Sequence, residues 1–84
     1  MDVKIYTLDY CPYCKKALGF LKEKGVDFEH VRIDEDEETW YSKLSAKFGI
    51  EIGELTFPQI IIDGVRIGGY TDMMTLCEQD KLPF

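Results

Sequence analysis

The sequence has few of the residues from which disulfide scaffolds and zinc sites are built. Its 84 residues include three cysteines, Cys11, Cys14 and Cys77, and one histidine, His30. A secreted disulfide scaffold usually carries a larger and even number of cysteines, and structural zinc usually takes four ligands. We therefore expect neither a disulfide framework nor a metal site. A single C-x-x-C pair in such a chain indicates redox chemistry instead.

Basic residues and long apolar runs are also scarce. Ten Lys and Arg residues face 16 Asp and Glu residues, for a net charge of −6. Nucleic acids and anionic membranes are bound through basic surfaces, so we expect neither as a partner. The longest uninterrupted apolar run, residues 60–62, is too short to cross a bilayer. No basic region followed by a long apolar stretch opens the chain, so we expect a cytoplasmic protein.

The composition that remains is that of a globular protein. Hydrophobic residues make up 45% and charged residues 31% of the sequence, which is far from disordered or fibrous chains. We find no repeat, low-complexity tract or linker. The length lies just above the roughly 70–80 residues below which most folds need a covalent or metal staple. We expect residues 1–84 to form a single domain that acts as a monomer.

Short β-type stretches alternate with helix-type stretches along the chain. The order β-α-β-α-β-β-α predicts an α/β sandwich with a mixed four-stranded sheet, whose first two strands are parallel. The alternation of apolar and polar residues in the second predicted strand shifts by one position between Phe28 and Val31, which indicates either a bulge or burial on both faces of the sheet. The predicted elements are strands at residues 3–8, 26–33, 59–62 and 65–67, the last two joined by the Asp63-Gly64 turn; a helix at residues 11–24; a helix capped by Asp34 that ends at Gly49; and a short helix capped by Thr71 or Asp72.

The motif Cys11-Pro12-Tyr13-Cys14 carries the chemistry. Proline is favoured at the first position of a helix, so Cys11 is predicted to be the N-cap, with its sulfur facing unpaired backbone N–H groups. Those donors and the positive end of the helix dipole favour the thiolate. Cys14 lies one turn further on and is predicted to be less exposed. We therefore expect Cys11 to attack and Cys14 to resolve, in preference to a purely structural disulfide.

Two further segments fit a peptide-like thiol substrate. Thr56-Phe57-Pro58 precedes the third strand. A cis proline there leaves the backbone of Phe57 free to pair with an extended chain. The segment from Gly68 to Asp72 places a glycine turn at a helix N-terminus. Such a turn suits a carboxylate, with Asp72 able to bind an amine.

These segments together resemble the glutaredoxin family over nearly the whole chain. The resemblance implies a thioredoxin-like fold, no tightly bound cofactor, and glutathione as co-substrate. It implies Cys11 as the nucleophile and Cys14 as the resolving thiol of a redox-active pair. The residues that it implies for binding glutathione are Cys11, Tyr13 and Phe57 beside the tripeptide, Pro58 in the cis form, and Thr71 and Asp72 at the γ-glutamyl end.

The chain departs from the family pattern in three places. Leu8-Asp9-Tyr10 stands where many glutaredoxins carry a lysine for a glutathione carboxylate, Phe57 replaces a valine, and residues 50–55 form a longer connection. Lys43 or Lys47 is our hypothesis for the missing cation.

The first functional hypothesis is a glutathione-dependent oxidoreductase that reduces protein disulfides and glutathione mixed disulfides. The second is a redoxin reduced directly by a flavoprotein reductase, for example an electron donor to ribonucleotide reductase. The third is an iron–sulfur cluster held between two chains through Cys11 and glutathione, which Pro12 disfavours by stiffening the loop. Cys77, on an apolar helical face, is predicted to lie in the core, or alternatively to be a regulatory thiol. The acidic residues 34–38 are interpreted as a solvated helix start, or alternatively as a patch that selects partners.

Overall fold

The structure is a computed structural model that describes all residues, 1–84. Two short 3-10 turns, Asp34–Asp36 and Ile52–Glu54, accompany the regular elements. The regular elements are the strands β1 (Val3–Thr7), β2 (Glu29–Arg32), β3 (Gln59–Ile62) and β4 (Val65–Gly68), and the helices α1 (Pro12–Glu23), α2 (Glu37–Phe48) and α3 (Tyr70–Glu78). None of these helices combines the length and the apolar composition that crossing a membrane requires.

The four strands form one mixed sheet in the order β2-β1-β3-β4. β1 and β2 are parallel, whereas β3 is antiparallel to both β1 and β4. Asp63 and Gly64, which join β3 to β4, both have positive φ angles, of 50° and 80°, as a tight two-residue hairpin turn requires. The predicted order of elements and the mixed four-stranded sheet are therefore confirmed.

Helices cover both faces of the sheet. Successive side chains of a strand point to opposite faces, and the central strands carry apolar side chains on both faces. One cluster, beneath α1 and α3, consists of Val3, Ile5, Ala17, Leu21, Ile60, Ile62 and Met73. The other, beneath α2, consists of Tyr6, Leu8, Ile33, Leu44, Leu55 and Ile61. This two-sided burial makes the molecule a sandwich with β1 and β3 at its centre.

The second strand begins at Glu29, three residues later than predicted. Val26 still belongs to the end of α1, because its N–H donates to a carbonyl of that helix at 3.1 Å. Val26 and Phe28 pack against the cluster beneath α1 and α3, whereas Val31 and Ile33 pack with the cluster beneath α2. The phase slip in the sequence therefore reflects burial on both faces, which is the second of the two predicted alternatives, and β2 pairs with β1 without a register shift.

The predicted N-cap of α2 is also wrong. Asp36, not Asp34, caps this helix, and its Oδ1 accepts the N–H of Thr39 at 3.4 Å. Asp34 is engaged elsewhere, since its Oδ2 accepts the N–H of Asp9 at 2.8 Å. The predicted end of the helix is confirmed, because Gly49 adopts the left-handed conformation with φ of 68°.

The N-cap of α3 is Gly69 rather than Thr71 or Asp72. Asp72 occupies the third helical position, and its carboxylate reaches back to accept the N–H of Gly69 at 2.8 Å. An acidic residue at this position commonly satisfies the backbone of the cap. The carboxylate therefore stabilises the start of α3 as well as facing the loop that precedes it.

Candidate active site

Cys11 lies where β1 ends and α1 begins. It is the N-cap of α1 with an extended backbone, and Pro12 occupies the first helical position. Its Sγ accepts the N–H of Cys14 at 3.3 Å. As a thiol, the same sulfur donates to the carbonyl oxygen of Phe57 at 3.3 Å. The predicted cap is confirmed, and the half-buried sulfur lies at the positive end of the helix dipole of α1.

Cys14 is buried directly behind Cys11 and is only 1% exposed. Burial, and secondly the hydrogen bond with Cys11, raise the pKa of the Cys14 thiol to about 12. Cys14 is therefore a protonated thiol at neutral pH, and both cysteines are free thiols in the structure. The two sulfurs differ as the sequence predicted, because one is accessible and the other is sheltered.

A groove of about 210 Å³ begins beside Cys11 and runs between the start of α1, the Thr56–Pro58 segment and the start of α3. Five of the predicted site residues line it, namely Tyr13, Phe57, Pro58, Thr71 and Asp72. It is also lined by Thr56, Gly69 and Tyr70, which the sequence reasoning did not single out. The structure thus brings the predicted residues together in one place.

Tyr70 is the most informative of the missed residues. Its ring centroid lies 6.1 Å from that of Tyr13, at an interplanar angle of 30°, so the two rings form one wall of the groove. The sequence feature that could have identified Tyr70 is an aromatic residue placed between the Gly68-Gly69 turn and Thr71. At such a position a ring stands next to whatever the helix N-terminus holds.

The segment before β3 has the backbone geometry that the sequence suggested. The peptide bond between Phe57 and Pro58 is cis. The N–H of Phe57 donates to no other backbone group, and the Phe57 carbonyl faces Cys11. Gln59 is 1% exposed and its Nε2 donates to the carbonyl of Thr56 at 2.6 Å, which fixes the start of this segment to β3.

The comparisons with known proteins agree with this geometry. The family model for glutaredoxin matches residues 3–67. The chain belongs to the glutaredoxin family. A glutaredoxin of Pseudomonas aeruginosa is 39% identical over 80 residues, which are 95% of this chain and 89% of that protein. This membership supports a thiol–disulfide oxidoreductase role for the Cys11 and Cys14 pair.

Solved structures give the same answer for the fold. The crystal structure of glutaredoxin 1 from Francisella tularensis superimposes with a TM-score of 0.78 at 31% identity, covering 94% of each chain. A buckwheat glutaredoxin in complex with glutathione superimposes with a TM-score of 0.82 at 22% identity, covering 95% of this chain and 71% of that one. The latter shows the fold alone, and the thioredoxin-like architecture is confirmed.

In this glutaredoxin, neither predicted cation reaches the groove. The Lys43 ammonium lies 5.2 Å from the Trp40 ring centroid, and Lys47 lines a separate groove near the Asp63-Gly64 turn. Lys16 is placed differently, with its ammonium 5.2 Å from the ring centroid of Tyr13. The position of Lys16 could have been recognised from the sequence, because it follows Tyr13 by three residues on one helix and such a spacing makes the two side chains neighbours.

The two residues before Cys11 are held by side chains of β2 and α2. Asp9 forms an ion pair with Arg32, whose Nε donates to Asp9 Oδ1 at 2.9 Å. The Tyr10 hydroxyl donates to Glu37 Oε1 at 2.9 Å, and this hydrogen bond raises the pKa of Tyr10 to about 12. Where many relatives carry a lysine, this chain has two side chains already engaged by β2 and α2.

One remaining prediction concerns Cys77, which lies outside the groove. Cys77 is half-buried and lies outside both core clusters, so its prediction as a core residue is wrong. It lies one turn after the buried Met73 on the same face of α3, next to the last residue of that helix, where its side chain is only half covered. His30 Nε2 lies 2.5 Å from the Thr7 hydroxyl. Burial, followed by the nearby charge of Arg32, lowers the pKa of His30.

Proposed function

We propose that this glutaredoxin, acting as one domain of residues 1–84, is a glutathione-dependent reductase of protein disulfides and glutathione mixed disulfides. The observation that carries the proposal is the Cys11 sulfur, which accepts the N–H of Cys14 at 3.3 Å beside a groove of about 210 Å³. An exchange catalyst needs an accessible thiolate and space beside it for a second thiol.

The reaction is a sequence of two exchanges at Cys11. The Cys11 thiolate attacks one sulfur of a protein disulfide, the other sulfur leaves as a thiolate, and a mixed disulfide forms. Cys14 then attacks the Cys11 sulfur as its proton passes to the departing substrate thiolate, which releases the reduced protein and leaves a Cys11–Cys14 disulfide. Two glutathione molecules reduce that disulfide and become glutathione disulfide. For a glutathione mixed disulfide, glutathione itself resolves the intermediate on Cys11.

The groove supports glutathione as the co-substrate. Tyr13 and Phe57 would flank the tripeptide, beside the cis proline Pro58 and the free N–H of Phe57. Thr71 and Asp72 stand at the far end, at the N-terminus of α3. One oxygen of Asp72 accepts the Gly69 N–H, so the other is available to an α-amino group. The buckwheat protein of the same fold was crystallised with glutathione.

The division of labour between the cysteines is testable with Cys14→Ser. We expect this variant to retain reduction of a glutathione mixed disulfide and to lose reduction of protein disulfides, since only the latter needs the buried thiol. Turnover with glutathione, glutathione reductase and NADPH measures both activities. Cys77→Ser is the control and should retain both. Loss of both activities in Cys14→Ser would show that the proposed split is wrong.

A second candidate function is reduction by a flavoprotein reductase instead of glutathione. It is favoured by Asp9 and Tyr10, which are engaged by Arg32 and Glu37 at the place where many relatives carry a lysine. Turnover with thioredoxin reductase, compared with turnover driven by glutathione and its reductase, separates the two candidates. Faster turnover with thioredoxin reductase would favour the second.

A further inference from the structure

A second groove lies along the start of α2 and shares no lining residue with the first. It is open, has a volume of about 480 Å³, and is lined by Glu37, Glu38, Tyr41, Ser42 and Ile52. Its walls are the first turns of α2 and the 3-10 turn Ile52–Glu54. We call it the α2 groove. The thiol–disulfide chemistry described above uses none of its five lining residues.

The α2 groove is continuous with the redox site. The Tyr41 ring centroid lies 5.4 Å from that of Phe57, whose carbonyl faces Cys11. On the other side, Glu37 accepts the hydroxyl of Tyr10, the residue before Cys11. Burial, then the charges of Glu37 and Cys11, raise the pKa of Tyr41. A chain whose disulfide is attacked by Cys11 can therefore lie across the α2 groove at the same time.

The α2 groove combines negative charge with exposed apolar surface. The protein contains two ion pairs, Lys4–Glu29 and Arg32–Asp9, and neither neutralises Glu37 or Glu38. Ile52 is 50% exposed and is one of the few large hydrophobic side chains that lie open to solvent. Scattered apolar residues are normal on a surface. Here, however, an exposed apolar side chain lies inside an acidic groove beside a reactive sulfur. This combination is typical of an interface in which the charges determine which partner binds and the apolar contact adds to the affinity.

We propose that the α2 groove binds the segment next to the disulfide of a substrate protein, and that it selects segments carrying Lys or Arg together with an apolar side chain. This inference rests on the proposed function, because it names the class of protein disulfide that Cys11 reduces. The positive side chains meet Glu37 and Glu38, and the apolar side chain meets Ile52 and Tyr41. Segments with acidic residues at the same places are repelled.

The groove also separates protein substrates from glutathione. Glutathione carries a net negative charge, and its proposed groove is bordered by Lys16 over Tyr13. None of the residues that line the α2 groove lines the glutathione groove. Substitutions in the α2 groove are therefore expected to change the reduction of charged peptides while leaving a small glutathione mixed disulfide unaffected.

The test uses two synthetic peptides with the same intramolecular disulfide and the same leucine, flanked by two lysines in one and two glutamates in the other. Pre-reduced protein is mixed with each peptide in a single turnover without glutathione. At about 0.01 M ionic strength, where the screening length is about 30 Å, we expect the lysine peptide to react about tenfold faster, in the range of electrostatic steering. At about 1 M the screening length falls to about 3 Å, and the ratio should approach one.

The double variant Glu37→Gln/Glu38→Gln removes two charges and keeps an acceptor for Tyr10. We expect it to reduce the tenfold preference to about threefold or less. Its matched control is Glu23→Gln/Glu78→Gln, which makes the same charge change at the C-terminal ends of α1 and α3, far from Cys11. The control should keep the preference. Ile52→Ser should slow both peptides equally at every ionic strength.

Equal rates for the two peptides in the unmodified protein would overturn the inference. A preference for the lysine peptide that persists in Glu37→Gln/Glu38→Gln would also overturn it. The same holds if the control variant loses the preference to the same extent, because the net charge of the protein alone would then explain the preference. Because the single turnover contains no glutathione, these outcomes are independent of glutathione dependence. Failure of glutathione to support multiple turnovers would overturn the proposed function and leave the peptide preference measurable.

Discussion

Replacing Gly68 with alanine would disturb the cap of α3 and the far end of the first groove together. Gly68 has φ of 117°, and an added Cβ would lie 2.5 Å from Oδ2 and 2.9 Å from Cγ of Asp72. That carboxylate cannot simply move aside, because its Oδ2 accepts the Gly69 N–H at 2.8 Å. The substitution therefore forces a choice between a steric clash and the loss of the cap.

The expected loss of stability follows from two contributions. A residue other than glycine with a positive φ in a sparsely populated region costs about 1–3 kcal/mol. Losing a side-chain acceptor at a helix N-terminus costs about 0.5–2 kcal/mol. Together they predict that Gly68→Ala lowers the free energy of unfolding by about 1.5–5 kcal/mol. At about 4–8 °C per kcal/mol for a domain of this size, the Tm should fall by roughly 6–40 °C.

Urea denaturation and thermal melting measure this change, and Gly69→Ala is the matched control. Gly69 has φ of −94°, and its added Cβ would meet nothing closer than the Pro58 carbonyl at 3.6 Å. Gly69 is the N-cap of α3, where alanine is less favoured than glycine, so we expect Gly69→Ala to lower the free energy of unfolding by less than about 1 kcal/mol without a steric clash. If Gly68→Ala is no less stable than Gly69→Ala, the carboxylate of Asp72 is not fixed as described.

A double variant separates the clash from the backbone strain. In Gly68→Ala/Asp72→Ala the carboxylate is absent, so the clash disappears and only the strain and the lost cap remain. The two substitutions should therefore be less destabilising together than the sum of each alone, as expected for residues in contact. Strict additivity would contradict the close approach of Gly68 to Asp72. Displacement of Asp72 should also raise the KM for glutathione more than it lowers kcat.

Three further predictions use single positions. Gly19 lies within α1 with nothing within 4 Å of an added Cβ, so Gly19→Ala should raise the free energy of unfolding by about 0.5–1 kcal/mol; a lower urea midpoint would contradict this. The pKa of His30 is lowered in the folded protein. The contribution of this residue to stability is therefore complete above its ordinary pKa of about 6.5 and is lost as the pH falls below that value. The free energy of unfolding of the wild type relative to His30→Gln should fall from pH 7 to pH 5, and a rise would refute the lowered pKa. In Cys11→Ser/Cys77→Ser, alkylation of Cys14 by iodoacetamide should keep rising from pH 7 to pH 10, because burial raises its pKa to about 12; a plateau below pH 9 would contradict that burial.

Features that depend on residues adjacent in sequence could be predicted from the sequence. Pro12 after Cys11 identified the start of α1, Gly49 identified the end of α2, and Asp63-Gly64 identified the hairpin. Each of these rests on a backbone angle or a missing N–H that few residue types supply. The same local features predicted that Cys11 is the accessible cysteine, because its sulfur caps the helix, whereas Cys14 lies one turn later and faces inward.

Features that depend on distant partners could not be predicted in this way. The acidic run contains several candidate caps for α2, and Asp36 serves because Asp34 binds the N–H of Asp9, 25 residues away. The position of Lys43 over Trp40 likewise depends on how α2 lies on the sheet. Spacing along one helix, which relates Lys16 to Tyr13, was the only signal for a cation beside the groove.

Phe57 connects the two grooves and explains why the departure from valine at this position matters. Its carbonyl faces Cys11, it lines the first groove, and its ring lies 5.4 Å from the Tyr41 ring that lines the α2 groove. A valine side chain is too short to maintain that aromatic contact, so the larger ring couples the two surfaces on either side of one sulfur. Thiol–disulfide exchange requires two thiol partners to approach that sulfur in turn. Under the two proposals, Phe57 is the residue against which both partners pack, each from its own side.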